Sequence, residues 1–276
     1  MKTIRVMVSR HSAFYSPLIA TLARGFPASY AILGPGQKSY ELIRDGVVDI
    51  MQSAVSSNWR PMDRGESPLP VHFALINRRD GFFLEARRRG AAFAWKDLEG
   101  KTLLADHGLQ PLTMLRYAVH CNGADWSKIN VLDRGTPEEM KDAFRRGEGD
   151  YVHLQAPGPE MPVVAVGASM PEVAFSTLCC SEAFIKTKAF ADFLTDYKAT
   201  RQWVRSAPPA EVAELEQSYF RGVSRTVLAD AVARYQQLGT WAGDTEIAEE
   251  LYKQAQEVFA HSGSLAVRYP RSAVCG

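Results

Sequence analysis

The chain has 276 residues, 46% apolar and 23% charged, the balance of an ordinary globular protein with room for two lobes of roughly 100–150 residues. Lysine and arginine number 32 against 31 aspartates and glutamates, so a net charge of +1 leaves no basic excess for a nucleic-acid partner. No apolar run reaches the roughly 18 residues of a membrane helix. The four cysteines (Cys121, Cys179, Cys180, Cys275) show neither C-x-x-C nor metal-ligand spacing, so neither a metal nor a disulfide framework is expected.

Residues 3–8 alternate as a strand. Met1-Lys2-Thr3 leads straight into it, and Arg5 and Arg10 interrupt the apolar stretch of an export signal. The chain as given is therefore expected in the cytoplasm, or in the periplasm if a leader has been removed. Ser16-Pro17 then opens a helix, because serine caps and proline at the first helical position sacrifices only an orphan N–H. Leu18, Ile19 and Leu22 form its apolar stripe and Gly25 stops it. Residues 29–33 read as a strand, 39–44 as a short helix broken by Gly46, and 47–51 as a third strand. Such alternation with short connections implies parallel strands with right-handed crossovers.

The order then returns. Residues 101–105 read as a strand, Pro111 opens a helix through Leu112, Leu115 and Val119, and Asn122-Gly123 ends it. A strand at 129–132, a helix at 137–146 and a strand at 151–154 follow, with Gly147 as the break. Gly46 and Asp49 share a G-x-x-D offset with Gly147 and Asp150, so the chain reads as two similar α/β units about 100 residues apart. Apolar runs at 71–76 and 173–178 would be the crossovers joining the two lobes. Helices are expected at about 182–204, 209–220, 224–238 and 245–261, with Ser224 and Asp244 as N-caps. Phe184, Phe190, Phe193, Leu194 and Tyr197 keep the spacing of a core-facing stripe.

Ligands of open parallel sheets gather beyond the carboxyl ends of the strands, and two such edges facing each other form a cleft. Four loops would line it. The first supplies Ser9, Arg10, His11, Ser12 and Tyr15; the second, Ser53, Ser56, Asn58 and Trp59. The third supplies Asp106, His107 and Gln110, with Thr113 just inside the helix, and the fourth supplies Gln155. Hydroxyl donors beside aromatic walls, helix N-termini at Ser16-Pro17 and Pro111, and the guanidinium of Arg10 favour a small carboxylate, sulfonate or similar anion.

His11 and His107 occupy corresponding loops and are expected to face each other. With Asp106 they are the acid–base candidates if the protein is an enzyme. His72, His120, His153 and His261 fit strands or helix faces, and without an H-E-x-x-H segment no metal is expected. Cys179-Cys180 ends an apolar strand, as buried structural cysteines do. The segment Gly34-Pro35-Gly36-Gln37-Lys38 lacks P-loop spacing, which leaves Lys38 a solvated lysine.

Several stretches in order resemble one family. Tyr40-Glu41-Leu42-Ile43-Arg44-Asp45-Gly46-Val47-Val48-Asp49-Ile50 resembles its "EAL-x-x-G-x-VDI", and Asp97-Leu98-Glu99-Gly100-Lys101-Thr102 its "DLKGKKV". Thr136-Pro137-Glu138-Glu139-Met140 through Gly147-Glu148-Gly149-Asp150 resembles "P-x-x-A…L-x-x-GEVDA", and Ala174-Phe175-Ser176-Thr177-Leu178 followed by Ser181-Glu182-Ala183-Phe184 resembles its return crossover and long helix. The family is that of the type II periplasmic substrate-binding proteins, in the NMT1/THI5-like group that includes nitrate, sulfonate and taurine binders.

The resemblance implies an α/β, two-lobed fold, each lobe a mainly parallel sheet flanked by helices, with the C-terminal helices on lobe 1. Lobe 1 would be 1–78 plus 176–276, and lobe 2 would be 79–175. It implies a solute-binding protein of an ABC transporter that closes over a small anionic organic ligand, with a membrane transporter as partner and no cofactor. The alternative is a cytoplasmic enzyme on the same fold, THI5-like or of decarboxylase, dehydratase or lyase type. The THI5-like synthases carry a longer cysteine run than Cys179-Cys180, and a desulfinase-like reaction wants a cysteine that the first loop lacks. A ligand-sensing regulator would need a helix-turn-helix ahead of the first strand.

Overall fold

The computed structural model describes residues 3–34, 36–88 and 92–276; Met1-Lys2 ahead of the first strand and Pro35 of the 34–38 loop lie outside them. In chain order the strands are β1 (Ile4–Val8), β2 (Ala28–Ile32), β3 (Ile50–Ser53), β4 (Val71–Asn77), β5 (Phe82–Ala86), β6 (Thr102–Leu104), β7 (Asn130–Leu132), β8 (Tyr151–Gln155), β9 (Pro162–Ala165) and β10 (Ser176–Cys180). The helices are α1 (Ser16–Ala23), α2 (Ser39–Arg44), α3 (Trp59–Asp63), α4 (Leu109–Cys121), α5 (Pro137–Arg145), α6 (Glu182–Ile185), α7 (Lys188–Ser206), α8 (Pro209–Glu216), α9 (Arg225–Leu238) and α10 (Glu249–His261).

The strands form two five-stranded sheets, ordered β2-β1-β3-β10-β4 and β7-β6-β8-β5-β9. These are one pattern used twice. In the first sheet β1 pairs in parallel with β2 and β3, while β10 returns antiparallel between β3 and β4. In the second, β6 pairs in parallel with β7 and β8, while β5 runs antiparallel between β8 and β9. Each sheet therefore has four strands running one way and one returning, and each is centred on a short parallel trio whose carboxyl ends share one edge.

The shared G-x-x-D offset has a physical basis. Gly46 and Gly147 take positive φ (66° and 102°), ending α2 and α5 in a conformation that other residues rarely adopt. The aspartate three residues later pins the incoming third strand to the first. The Arg5 N–H donates to Asp49 Oδ2 at 2.8 Å and the Asp49 N–H to the Arg5 carbonyl at 2.9 Å. In the second sheet the Thr102 N–H donates to Asp150 Oδ2 at 3.0 Å and the Asp150 N–H to the Thr102 carbonyl at 2.7 Å. One carboxylate thus sets the register of each parallel pair.

Two strands escape the sequence reading. In β5, Phe82, Phe83 and Leu84 are buried on both faces, so no alternation marks it, and β9 begins at Pro162, a residue suited only to a strand's start or edge. Other boundaries move. The third strand starts at Ile50 rather than 47, because Val47 is still in the turn after Gly46 and exposed. The last strand starts at Ser176 rather than 173, because the Val173 and Phe175 N–H groups donate to the carbonyls of Arg78, in the other crossover, and Asn77, at the end of β4, each at 3.0 Å. The helix expected over 182–204 is two helices, since the Thr187 hydroxyl accepts the Phe190 N–H and starts α7 afresh. Asp244 caps a turn through the Glu246 N–H rather than α10, which begins at Glu249.

Two crossovers, 78–81 and 166–175, join the sheets. Arg78 and Arg79 of one grip Glu172 of the other at 2.7 and 2.9 Å. Gly167 passes so close to Asp80 that a Cβ there would lie 2.2 Å from the Asp80 carbonyl oxygen. Among the C-terminal helices, α7 and α8 pack on α1, and α9 packs on α8. Helix α10 also reaches α4 beside the second sheet, where Gln254 donates to the Tyr117 hydroxyl at 3.3 Å and the His120 and His261 rings lie 4.1 Å apart. Among the described residues no helix is long and apolar enough to cross a membrane.

Candidate functional site

The carboxyl ends of the two parallel trios meet over a cavity of about 230 Å³. The first sheet contributes Ser9 and Arg10 after β1, and Gln52, Ser53, Ser56 and Ser57 at and beyond the end of β3. The second contributes Gln110 and Pro111 from the first turn of α4, Gln155 from the end of β8 and Phe82 from the start of β5. Phe175 comes from the end of the second crossover and Ser176 from the start of β10, and Tyr15 also lines the cavity.

The polar groups are tied to one another. Gln52 Oε1 accepts from the Ser9 N–H at 2.9 Å and from the Ser9 hydroxyl at 2.6 Å. The Ser53 hydroxyl donates to Ser57 at 3.0 Å. Ser56 donates to Gln110 Oε1 at 3.0 Å, and Gln110 Nε2 donates to the Phe175 carbonyl at 2.6 Å, a chain of bonds running from one sheet through α4 to the crossover. The Tyr15 hydroxyl lies among Ser176, Gln155 and Ser9, but burial outweighs them and raises its pKa. Phe82 stacks on His153 at 4.4 Å and Phe175 meets the edge of Phe14 at 5.3 Å, so both rings are held from behind.

Arg10 donates to Asp106 Oδ2, an ion pair from the loop after β1 to the loop after β6. The other oxygen, Asp106 Oδ1, accepts the Gly108 N–H at 2.6 Å at the entrance to α4. A second carboxylate, Asp133, accepts the His107 N–H at 3.1 Å and the Gly135 N–H at 2.8 Å. Burial resists its ionisation, yet those bonds prevail and hold its pKa below the usual range. Burial lowers the Arg10 pKa, opposed by Tyr15 and Asp133. His153 is fully buried, with neither ring nitrogen bonded among the described residues; burial and the nearby Arg10 push its pKa down to about 3, so it is neutral.

No protein-family profile matches the chain. A search of curated proteins finds "Putative binding protein YtlA" of Bacillus subtilis (strain 168), 24% identical over 293 residues that cover 97% of this chain and 85% of that protein. Among solved structures, the ligand-binding component of an ABC-type import system from Staphylococcus aureus, with zinc bound, superposes with a TM-score of 0.76 at 11% identity, covering 100% of this chain and 97% of that one. The periplasmic aliphatic sulphonate-binding protein SsuA of Escherichia coli superposes with a TM-score of 0.71 at 15% identity, covering 100% and 92%. The fold is that of the periplasmic binding proteins.

Within this binding-protein fold the expected site residues divide. Ser9, Arg10, Tyr15, Ser53, Ser56, Gln110 and Gln155 line the cavity, and Asp106 stands at its edge on Arg10. Four others are structural. Asn58 is fully buried, donating to the Pro70 carbonyl at 2.7 Å and meeting His72 at 3.4 Å. Trp59 is buried against Phe259 and donates to the Tyr252 hydroxyl at 3.1 Å. Thr113 is buried in α4 and is not among the described residues lining the cavity. Ser12 caps the 3-10 turn Ala13–Tyr15 by accepting the Phe14 N–H at 3.1 Å, and reaches the Ala156 carbonyl at 3.3 Å.

The two loop histidines do not face each other across the cavity. His11 bonds the Tyr30 hydroxyl at 2.7 Å and packs on Phe220, both on the first-sheet side, while His107 is exposed. The groups that meet are their neighbours, Arg10 and Asp106. The acid–base trio His11, His107 and Asp106 is therefore not assembled, and no histidine is among the described residues lining the cavity. Helix α1 offers no anion site either, because its Ser16 start is buried and bonded to Glu216 at 2.8 Å.

Gln52, Ser57, Phe82, Pro111, Phe175 and Ser176 also line the cavity without having been singled out as site residues. Phe82 and Ser176 begin the two returning strands, and any residue there borders the cleft by topology. The rest of the reading holds little for chemistry. Cys179 and Cys180 are buried in β10, where burial raises both thiol pKa values, that of Cys180 to about 12. Lys38 is exposed and paired with Glu41 at 3.0 Å.

Proposed function

We propose that the protein is the solute-capturing component of an ABC-type import system, closing its two lobes over a small polar organic molecule and presenting the closed form to a membrane transporter. The lobes are 1–78 with 176–276, and 79–175. The observation that carries this reading is that the cavity walls come from both sheets and are already bridged by Ser56–Gln110 and Arg10–Asp106. Closure that makes such bridges, and adds contacts to a guest, is the differential interaction a hinged receptor needs. With a transporter as partner, the protein would act on the outer face of the cytoplasmic membrane. An anionic guest, expected from the loops, would have to compete for an Arg10 already bonded to Asp106.

The test is incubation of the full chain with a panel of small carboxamides, carboxylates and sulfonates, followed by mass spectrometry and small-angle X-ray scattering. A compound returned intact, raising the melting temperature and reducing the radius of gyration, is the expected result. A compound returned with altered mass would overturn the reading in favour of an enzyme.

A further inference from the structure

The features that would make the cleft an anion site are already in use by the protein's own carboxylates. Arg10 is the one charged residue among the described residues lining the cavity, and its guanidinium bonds Asp106. The entrance to α4, the second anion-attracting feature, gives its Gly108 N–H to the same carboxylate and its His107 N–H to Asp133. Arg10 with Asp106 and Asp133 sums to a charge of −1, and His153 nearby is neutral. A free anion would therefore find no uncompensated positive charge in the cleft. Taking Arg10 would also leave the Asp106 side chain, 15% exposed, without its cation.

What remains for a guest suits an uncharged molecule. Beyond its bonds to Ser9 and Ser53, Gln52 keeps one amide proton, and beyond its bonds to Ser56 and Phe175, Gln110 keeps one amide proton and one oxygen lone pair. Gln155 adds a third amide, Ser57 and Ser176 add hydroxyls, and Phe82 and Phe175 supply apolar ring surface. At about 230 Å³ the cavity lies below the roughly 300–1,000 Å³ of drug-sized sites.

Resting on the binding-protein reading, we propose that Asp106 is a built-in counter-anion that closes the cleft to free anions. The ligand is then a small uncharged planar molecule with amide-like donors and acceptors. Asp106 is a specificity-determining residue: its carboxylate occupies the place a ligand carboxylate or sulfonate would take on Arg10 and at the α4 entrance. Removing its charge while keeping its shape should free Arg10 for an external anion.

The experiment measures binding of benzamide, benzoate and methanesulfonate by calorimetry to the full chain, to Asp106→Asn, and to the double variant Arg10→Gln, Asp106→Asn. The wild type should bind benzamide at least about tenfold more tightly than benzoate. Asp106→Asn should gain at least about tenfold for benzoate and methanesulfonate while benzamide changes by less than about threefold. The double variant should lose the gain, which assigns it to Arg10. Tighter binding of benzoate than benzamide by the wild type overturns the proposal, as does a folded Asp106→Asn with no anion gain. Should Asp106→Asn not fold, Asp106→Ser provides the same uncharged arm. Silence of every probe in every protein overturns it too, because a freed Arg10 beside a cavity of this size has to accept a small carboxylate. Scattering separates the two readings. An anion gain in Asp106→Asn without contraction of the molecule would leave the selectivity assignment standing and refute lobe closure.

Discussion

Asp80 sits in the first crossover with its side chain fully buried. One carboxylate oxygen accepts the Phe82 N–H at 2.6 Å, and the other is buried with no partner among the described residues. Burial, opposed only by that one bond, raises its pKa from 3.8 to about 7. Because the folded pKa lies above the unfolded one, Asp80 contributes stability that is fully present below pH 4. That contribution is lost as the pH rises from about 4 to about 7, and the profile is flat beyond. The gap between 3.8 and about 7, at 1.36 kcal/mol per pH unit, makes the loss about 4 kcal/mol. Asp80→Asn keeps an oxygen for the Phe82 N–H and removes the ionisation. The difference in unfolding free energy between variant and wild type should therefore shift in the variant's favour by about 4 kcal/mol between pH 4 and pH 8. Urea titrations followed by tryptophan fluorescence at pH 4, 5.5, 7 and 8 measure it. Parallel pH profiles for the two proteins would refute the argument, showing that the carboxylate is hydrated or paired in solution.

Three further expectations follow from buried contacts. Gly167→Ala places a methyl 2.2 Å from the Asp80 carbonyl oxygen and should cost about 1–3 kcal/mol in thermal unfolding; an unchanged melting temperature would show that the crossovers separate freely. Glu216 is fully buried, and burial, opposed by the Ser16 hydroxyl, raises its pKa well above 4.5, so the stability it contributes disappears as the pH rises past that value. Glu216→Gln should accordingly raise the melting temperature at pH 8 and have little effect near pH 4, and a variant less stable at pH 8 would show that the charge is wanted there. Trp59→Phe removes the bond to Tyr252 and leaves space beside Phe259, for a loss of about 1–3 kcal/mol with no change in ligand affinity. A variant of normal stability and weakened binding would return Trp59 to the cleft.

The frame of this fold is legible in the sequence because it is written in local rules. Thr136-Pro137 with Glu139, and Ser224, start helices where their side chains satisfy the first turn, whereas at Ser16-Pro17 only the proline keeps the expected role: Tyr15 is the N-cap and the Ser16 hydroxyl donates to Ala13 and Glu216. Gly46-x-x-Asp49 and Gly147-x-x-Asp150 end helices and register strands, a device whose meaning lies in two hydrogen bonds to the neighbouring strand. The returning strands were less legible. Strand β5 has no alternation, because both of its faces are covered, and the boundary of β10 depends on backbone bonds to a segment nearly 100 residues away. Site residues divided along the same line. Ser9, Arg10, Ser56 and Gln155 follow directly from strand ends, which a sequence marks. Asn58 and Trp59 lie one helical turn further on, and there the chain direction has rotated them into the core, where His72, Tyr252 and Phe259 receive them.

The repeated frame also shows where the two lobes part company. Strand β1 is followed by Ser9-Arg10-His11 and strand β6 by Ala105-Asp106-His107, so matched sheets present loops that each carry a histidine at the third position. The equivalence of backbones suggested that those histidines would meet. Side-chain reach and burial decide otherwise: Tyr30 and Phe220 draw His11 into the first-sheet side, and the exposed His107 gives its N–H to Asp133. The preceding residues carry opposite charges, and across a partly desolvated gap that attraction is the stronger organiser. A repeated fold therefore brings equivalent loops together, while the residues that touch are chosen by chemistry that the repeat does not copy. In this protein the choice places a cation and its own anion at the rim of the cavity, with amides, hydroxyls and aromatic rings behind them.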